Sequence, residues 1–251
     1  MENSDFNQIK KKMLSLDVKR YWGDDFDVRF YLISRLKDVR NKTILDLGGG
    51  VGIISSELDP TNKRINIDFS LDELLICSKR IDSSILPVCS SIIDIPFNDE
   101  TFDCVISASV IQYLRSHDIE KNNVIKEDNT THYPTVEKCI SEIYRVLKPR
   151  GKLFLITPNN SYYKSYMFNY NELKSALSIS FSKFQLFFFN TYPKISEKNR
   201  KLNFANIIPK VSSKFITKQK QLELMLKVDK GSSKSSVSFY VEAIKNQPRK
   251  F

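Results

Sequence analysis

Hydrophobic and polar positions follow two rhythms along the first three quarters of this chain. Short apolar runs occur at Thr43–Leu47 (TILDL), Ile65–Ile67, Ile85–Cys89 (ILPVC), Phe102–Ala108 (FDCVISA) and Lys152–Thr157 (KLFLIT), and each reads as a strand. Pro87 counts against the third of these, since proline cannot donate to a ladder. Segments of 3.6-residue periodicity lie around and between them. Asp27–Val39 places Phe30, Ile33, Leu36 and Val39 inward; Val51–Leu58 follows the first strand; Leu71–Arg80 is opened by Ser70, with Leu74, Leu75 and Ser78 on one face. Val136–Leu147 carries Val136, Cys139, Ile140, Ile143 and Leu147 on one stripe and stops at Lys148-Pro149-Arg150-Gly151, a helix end followed by a turn. Such alternation predicts right-handed βαβ units and a parallel sheet covered on both faces. Further on, Asn171–Leu177 reads as a short helix, Lys183–Asn190 as a sixth strand and Ser236–Ile244 as a seventh.

Composition narrows the class. The length of 251 residues suits one domain with a sizeable core, and 41% hydrophobic residues are too many for a disordered chain. No apolar run reaches the roughly 18–20 residues that cross a bilayer, and Met1–Leu16 carries Lys10, Lys11 and Lys12 with no apolar core behind them. The expectation is a cytoplasmic protein. Cys77, Cys89, Cys104 and Cys139 form no CxxC pair and His117 and His132 are far apart, so neither a structural metal nor a disulfide framework is expected. Charge is uneven. Residues 1–193 hold 25 basic and 25 acidic side chains, while residues 194–251 hold 14 and 4, so the net +10 belongs wholly to the end of the chain.

Glycine is scarce, with seven in the chain, yet Gly48, Gly49, Gly50 and Gly52 lie within five positions after the first strand. Glycine there lets the backbone turn sharply and lets a ligand approach the main chain. The dinucleotide spacing G-x-G-x-x-G/A fails from Gly48, where Ile53 takes the last position, and fits weakly from Gly50. The spacing that fits is Asp-x-Gly-x-Gly-x-Gly, beginning at Asp46. A carboxylate before the turn would repel a pyrophosphate but suits an amine or sulfonium. Asp68, twenty positions after Gly48 at the end of the second strand, can accept both hydroxyls of a ribose.

These stretches resemble a known family, the class I S-adenosylmethionine-dependent methyltransferases, and within it the type 11 methyltransferase domain. The resemblance is carried by ILDLGGGVG (Ile44–Gly52), INIDFSLDEL (Ile65–Leu74), DIPFNDETFDCVISASVIQYL (Asp94–Leu114) and EIYRVLKPRGKLFLITPN (Glu142–Asn159), in order and with family-like spacing. It implies a Rossmann-like α/β three-layer sandwich, with a seven-stranded, mostly parallel sheet whose last strand is antiparallel. It implies S-adenosyl-L-methionine as cofactor. Asp46, Gly48, Gly50 and Gly52 would line its methionine and ribose part, Asp68 would hold the ribose, Phe69 would lie on the adenine, and Ser90, Ser91 and Ile92 would flank the ring's other side. Ser91 departs from the pattern, because family members often carry Asp there. Gly is also commonly doubled where Arg150-Gly151 stands. The chain then divides into N-terminal cap helices (1–40), a cofactor-binding core (41–193), a basic insertion (194–235) and the last strand (236–245), as one domain.

Methyl transfer from a sulfonium is an in-line displacement that gains chiefly from positioning. Ligands of open α/β sheets bind at the carboxyl ends of the strands. Ser107, Ser109, Gln112, Tyr113, Asn159 and Asn160 occupy the ends of strands four and five, Ser107 on the cofactor side and the others facing the acceptor. His117 reads as a solvated loop histidine, and no catalytic residue is assigned. Tyr21, Trp22 and Tyr31 either cap the cofactor cleft or pack the first helix, and the polar stretch Arg115–Tyr133 reads as a lid. The strand-four ending Ser107-Ala108-Ser109-Val110 does not resemble the Asn/Asp-Pro-Pro-aromatic motif of nucleic-acid base N-methylases. A small-molecule acceptor is the leading expectation. Lys194–Lys234, with 11 basic and 3 acidic residues, leaves a phosphorylated, lipid-linked or RNA substrate or an anionic membrane surface as an alternative. A methyltransferase-like protein that binds the cofactor without turnover, or serves as a partner subunit, is a third reading.

Overall fold

The computed structural model describes residues 26–127, 130–160, 167–189, 226–228 and 238–247. Its centre is an eight-stranded sheet of order β3-β2-β1-β4-β7-β10-β8-β9. The strands are β1 (Thr43–Leu47), β2 (Lys63–Asp68), β3 (Leu86–Cys89), β4 (Phe102–Ala108), β7 (Leu147–Pro158), β8 (Phe184–Phe189), β9 (Leu226–Val228) and β10 (Ser238–Ile244). A separate hairpin pairs β5 (Ile125–Glu127) with β6 (Thr130–His132). β1 runs parallel to β2 and β4, and β4 parallel to β7, while β10 lies antiparallel between β7 and β8. This is the expected sheet, with the last strand reversed. β9, a three-residue strand antiparallel to β8, adds an eighth member from inside the segment read as a basic insertion. β3, the strand that carries Pro87, forms the other edge, as the missing donor requires.

Period-two alternation feeds two core layers. Leu153 and Leu155 of β7, with Phe239 and Val241 of β10, enter one layer, whereas Phe154, Ile156 and Tyr240 enter the other. The first layer is closed by α5 (Pro134–Val146), whose Val136, Cys139, Ile140, Ile143 and Val146 are all buried, and by α6 (Tyr170–Ser178). α6 opens on a capping box, with the Asn169 side chain accepting from Glu172 N and the Glu172 carboxylate accepting from Asn169 N. The second layer is closed by α1 (Phe26–Leu36) and the one-turn helix α2 (Ile53–Ser56). Tyr31 is core, not a cap on the cleft: it is 5% exposed, with its ring edge-to-face on Tyr240 at 5.0 Å. Tyr21 and Trp22 lie outside the described residues.

Several boundaries depart from the pattern reading. The turn expected at Lys148–Gly151 is the beginning of β7, which starts at Leu147 against Phe102; the register then slips before Cys104 meets Lys152. The helix expected over Val51–Leu58 is one turn, because Gly52 stands in the left-handed region and α2 begins after it. α3 (Leu71–Ile76) is capped by Ser70 as expected, then widens into a π turn at Cys77–Ile81. Its buried side chains are Leu74 and Cys77, while Leu75 is exposed. The stretch read as a lid, Arg115–Tyr133, begins inside α4 (Ile111–Glu120), in which Gln112, Arg115 and Asp118 are buried and His117 is exposed on the helix. Asp118 explains part of this, since its carboxylate accepts from Thr135 N (3.0 Å) and Thr135 Oγ1 (2.5 Å) at the start of α5.

Candidate active site

The carboxyl ends of β1, β2, β4 and β7 converge on one rim of the sheet. There the chain leaves β1 through Gly48–Gly52, and the turn is pinned to β2. Gly48 N and Gly49 N donate to Ile67 O at 2.7 and 3.3 Å, and Gly50 N donates to Asp68 Oδ2 at 2.9 Å. Gly48, Gly50 and Gly52 all have positive φ. Gly49 does not, and its need for glycine is one of close approach: a Cβ there would stand 2.5 Å from Asn66 Oδ1 and 2.6 Å from Asp46 Cγ.

Asp46 is 1% exposed. Its Oδ2 accepts from Ser55 Oγ at 2.8 Å, while Oδ1 is buried with no hydrogen-bond partner among the described residues. Burial pushes this carboxyl up to about 6, opposed by the Ser55 hydrogen bond and the Arg29 charge. Arg29 of α1 and Asp46 line a cavity of about 20 Å³ beneath the glycine turn. Two further buried oxygens, Asn66 Oδ1 and Ser107 Oγ, also lack partners among the described residues. Buried polar atoms are ordinarily satisfied, so three at one rim mark a place built for a ligand's donors. Asp68 is buried on the same rim, with Oδ1 accepting from Ser70 N at 2.9 Å. Glu73 of α3 stands against Gly50, and burial together with the Asp68 charge raises its carboxyl. A rim with three carboxylates and orphaned acceptors fits a ligand that is cationic at one end and rich in hydroxyls, as S-adenosylmethionine is.

Of the other residues singled out in the sequence, Phe69 is 85% exposed beside Asp68, free to present a ring face. Ser90 N donates to Asp68 O at 3.1 Å, which draws the end of β3 to the same rim; Ser91 is exposed and Ile92 half-buried against the core. Beyond the ends of β4 and β7, Tyr113 is 70% exposed. Ser109 holds φ 61° with its N–H on Ile156 O, and Asn160 N donates to Phe168 O. Gln112 and Asn159 are buried and anchor the framework: Gln112 Oε1 accepts from Thr157 Oγ1 at 3.3 Å, and Asn159 bridges Phe168. Behind them the Glu172 carboxylate takes Arg115 Nη2 at 3.0 Å and Tyr133 OH at 2.6 Å, and the Arg115 guanidinium lies 4.8 Å from the Tyr133 ring centroid. Sequence reasoning misses Ser55, Asn66, Gly49 and this triad. Only Gly49 carries a signal, as a fourth glycine with no place in the spacing. Among the described residues no group of three His, Cys, Asp or Glu could hold a metal, and no helix is long and apolar enough to cross a membrane.

Residues 45–155 match the family model described as a methyltransferase domain. An uncharacterized protein of Methanocaldococcus jannaschii is 28% identical over 139 residues, 55% of this chain and 51% of its own length, so this chain spans about half of that relative. The ubiquinone/menaquinone biosynthesis C-methyltransferase of Rickettsia bellii is 26% identical over 78% of this chain and 70% of its own length. The phosphoethanolamine N-methyltransferase 2 of Haemonchus contortus, solved with S-adenosyl-L-methionine, shares the fold at TM-score 0.54 and 18% identity, covering 88% of this chain and 53% of that one. Residues 45–155, a little under half of the chain, thus match the methyltransferase domain, and the fold built around them is that of S-adenosylmethionine-dependent methyltransferases.

Proposed function

We propose that this protein transfers a methyl group from S-adenosylmethionine to a small-molecule acceptor held at the carboxyl ends of β4 and β7. The observation that carries the reading is the Asp46 carboxylate: buried, half-satisfied and placed under a glycine turn that ends on Asp68. When bound, the cofactor supplies an electrophilic methyl on a sulfonium. Asp46, and the main chain of Gly48, Gly50 and Gly52, would hold its charged end, Asp68 the ribose and Phe69 the adenine, with Ser90, Ser91 and Ile92 on the ring's far side and Ser107 near the sulfur. Ser109, Tyr113 and Asn160 would face the acceptor, with Gln112 and Asn159 fixing their backbone. Orientation is then the main contribution of this chain, and no general base is assigned. The name of the Rickettsia relative makes quinone-ring precursors a first acceptor class to try. The charge concentrated in residues 194–234 favours an anionic acceptor or surface as the second reading. That segment lies outside the described residues except for 226–228.

Incubation with methyl-labelled cofactor and a metabolite extract tests the reading. One labelled small product is expected. Cofactor bound with no label transferred to any acceptor would leave a binding protein, and label found only in RNA or lipid would favour the second reading.

The Asp46 environment also gives a pH dependence. Its carboxyl titrates near 6 in the free protein, raised from 3.8, so by itself it makes the unliganded fold less stable as pH rises from about 4 to about 6. A cationic ligand reverses the preference by favouring the carboxylate. Affinity for S-adenosylmethionine should therefore be flat above about pH 7 and fall up to about tenfold per unit below 6, where binding releases a proton to the buffer. Calorimetry in two buffers of different ionisation enthalpy reads both quantities, and an affinity unchanged between pH 5 and 7.5 would remove Asp46 from the cationic end.

A further inference from the structure

We propose that the amino ends of the strands, opposite the cofactor rim, carry a second binding site, a cleft for a small ligand bearing two or more phosphate groups. A cavity of about 360 Å³ opens there, lined by five cationic side chains: Arg35 of α1, Lys42 before β1, and Lys148, Arg150 and Lys152 of β7. Asp103 is the one acidic residue in the lining; it accepts from Lys148 Nζ at 2.8 Å and lies 3.7 Å from Lys42 Nζ. Arg35 is held by Glu242 at 2.8 Å. Five cations against two carboxylates leave a charge of +3, and Arg150 and Lys152 make no ion pair among the described residues. This concentration is not a by-product of a basic chain, because residues 1–193 balance 25 basic against 25 acidic side chains. Like charges brought this close repel one another, and a multivalent anion relieves that repulsion.

The backbone points the same way. Arg150 holds φ 65°, a left-handed conformation that glycine adopts freely and that a β-carbon disfavours. It is kept there by two hydrogen bonds to the end of β10, Arg150 N to Lys245 O and Lys245 N to Gly151 O, both 3.0 Å. The register shifts at the same place: Phe102 meets Leu147 and Cys104 meets Lys152, so β7 carries three extra residues here and Arg150 lies in the stretch that leaves the ladder. At the mouth of the cleft it lines, an arginine thus takes a conformation that glycine would adopt more easily, and the position presents a guanidinium to the cleft. Arginine's planar fork matches phosphate oxygens in pairs, and the buried Cys104 and Phe154 give the cleft an apolar floor for the rest of the ligand. β4 runs about 13 Å from Cys104 to Ala108, so a ligand here leaves the cofactor rim clear.

The test is calorimetric titration of the full chain with inorganic tripolyphosphate, in parallel with flotation on phosphatidylcholine vesicles with and without phosphatidic acid. Saturable binding of one tripolyphosphate per chain is expected. It should weaken tenfold or more in Arg150→Gly/Lys152→Gln and stay unchanged in Lys121→Gln, a surface control. Arg150→Gly removes a backbone strain, so the thermal midpoint should hold or rise, and S-adenosylhomocysteine affinity should be the same in all three proteins. Vesicle binding that requires phosphatidic acid and Arg150 would assign the phosphate to a lipid headgroup; tripolyphosphate binding without it would assign a free ligand. Absence of saturable binding in both arms would overturn the site. So would binding of equal strength in the double variant, which would place the anion on the basic segment instead.

Discussion

Asp68→Ala should weaken S-adenosylmethionine binding by a hundredfold or more while leaving the chain folded. The carboxylate has two structural bonds, to Gly50 N and Ser70 N, and enough lone pairs left to accept two ribose hydroxyls. Hydrogen bonds to a charged acceptor are worth about 1.5–3 kcal/mol each, so losing both ribose contacts costs on the order of 3–6 kcal/mol. Release of the Gly50 N–H loosens the turn and adds to the loss. Asp68→Asn keeps the shape and one acceptor oxygen, and should fall between wild type and Ala. Titration calorimetry measures all three, with thermal melts as the folding control. Wild-type affinity in the Ala protein would mean that the ribose is held elsewhere.

Gly48→Ala carries the second large effect, and it reads on stability. Gly48 has φ 68°, which costs a β-carbon about 1–2 kcal/mol. That carbon would also lie 2.5 and 2.8 Å from the two methyls of Val110 and 3.2 Å from its Cβ. Rotation about χ1 moves the methyls but not the Val110 Cβ, so the backbone must shift, and overpacking of this kind costs about 1–3 kcal/mol more. The sum, about 2–5 kcal/mol, should lower the thermal midpoint by roughly 5–15 °C for a chain of this size. Val110→Ala in the same chain should return the part due to the two methyls and leave the dihedral part and the 3.2 Å contact with the β-carbon. If the double variant is no more stable than Gly48→Ala alone, the collision with Val110 is not what glycine avoids.

Much of this arrangement is legible in the order of residues alone. The strands at Thr43–Leu47 and Phe102–Ala108 have the ends that their apolar runs predict, and the α5 stripe from Val136 to Ile143 is buried throughout. Each is a local rhythm: a run of apolar residues bounded by polar ones, or a repeat of 3.6, and burial of that face is the largest favourable term available to it. Asp46 and Asp68 stand out because each lies at a fixed distance from a glycine cluster that cannot be mistaken in a glycine-poor chain. Ser55 and Asn66 do not, because nothing in VGIISS or INID marks the serine that meets Asp46 or the asparagine that meets Gly50 O as different from its polar neighbours. The Arg115–Glu172 pair, 57 positions apart, leaves no local trace either. The helical rhythm of Ile111–Glu120 is broken by the buried Gln112, Arg115 and Asp118, so a core-facing helix reads as a polar lid.

The sequence by itself determined the layers, the order of strand and helix, the glycine turn and the carboxylates beside it, because those follow from short-range periodicity and from the few residues that tolerate a sharp turn. Tertiary structure alone decided which polar residues are buried and against what. It set Tyr31 in the core against Tyr240, left Asp46 Oδ1 and Ser107 Oγ without partners among the described residues, and gathered Arg35, Lys42, Arg150 and Lys152 around one cleft in a body with no net charge. Burial and pairing depend on contacts between residues tens to hundreds of positions apart. No local pattern encodes them, since they exist only once the sheet has closed.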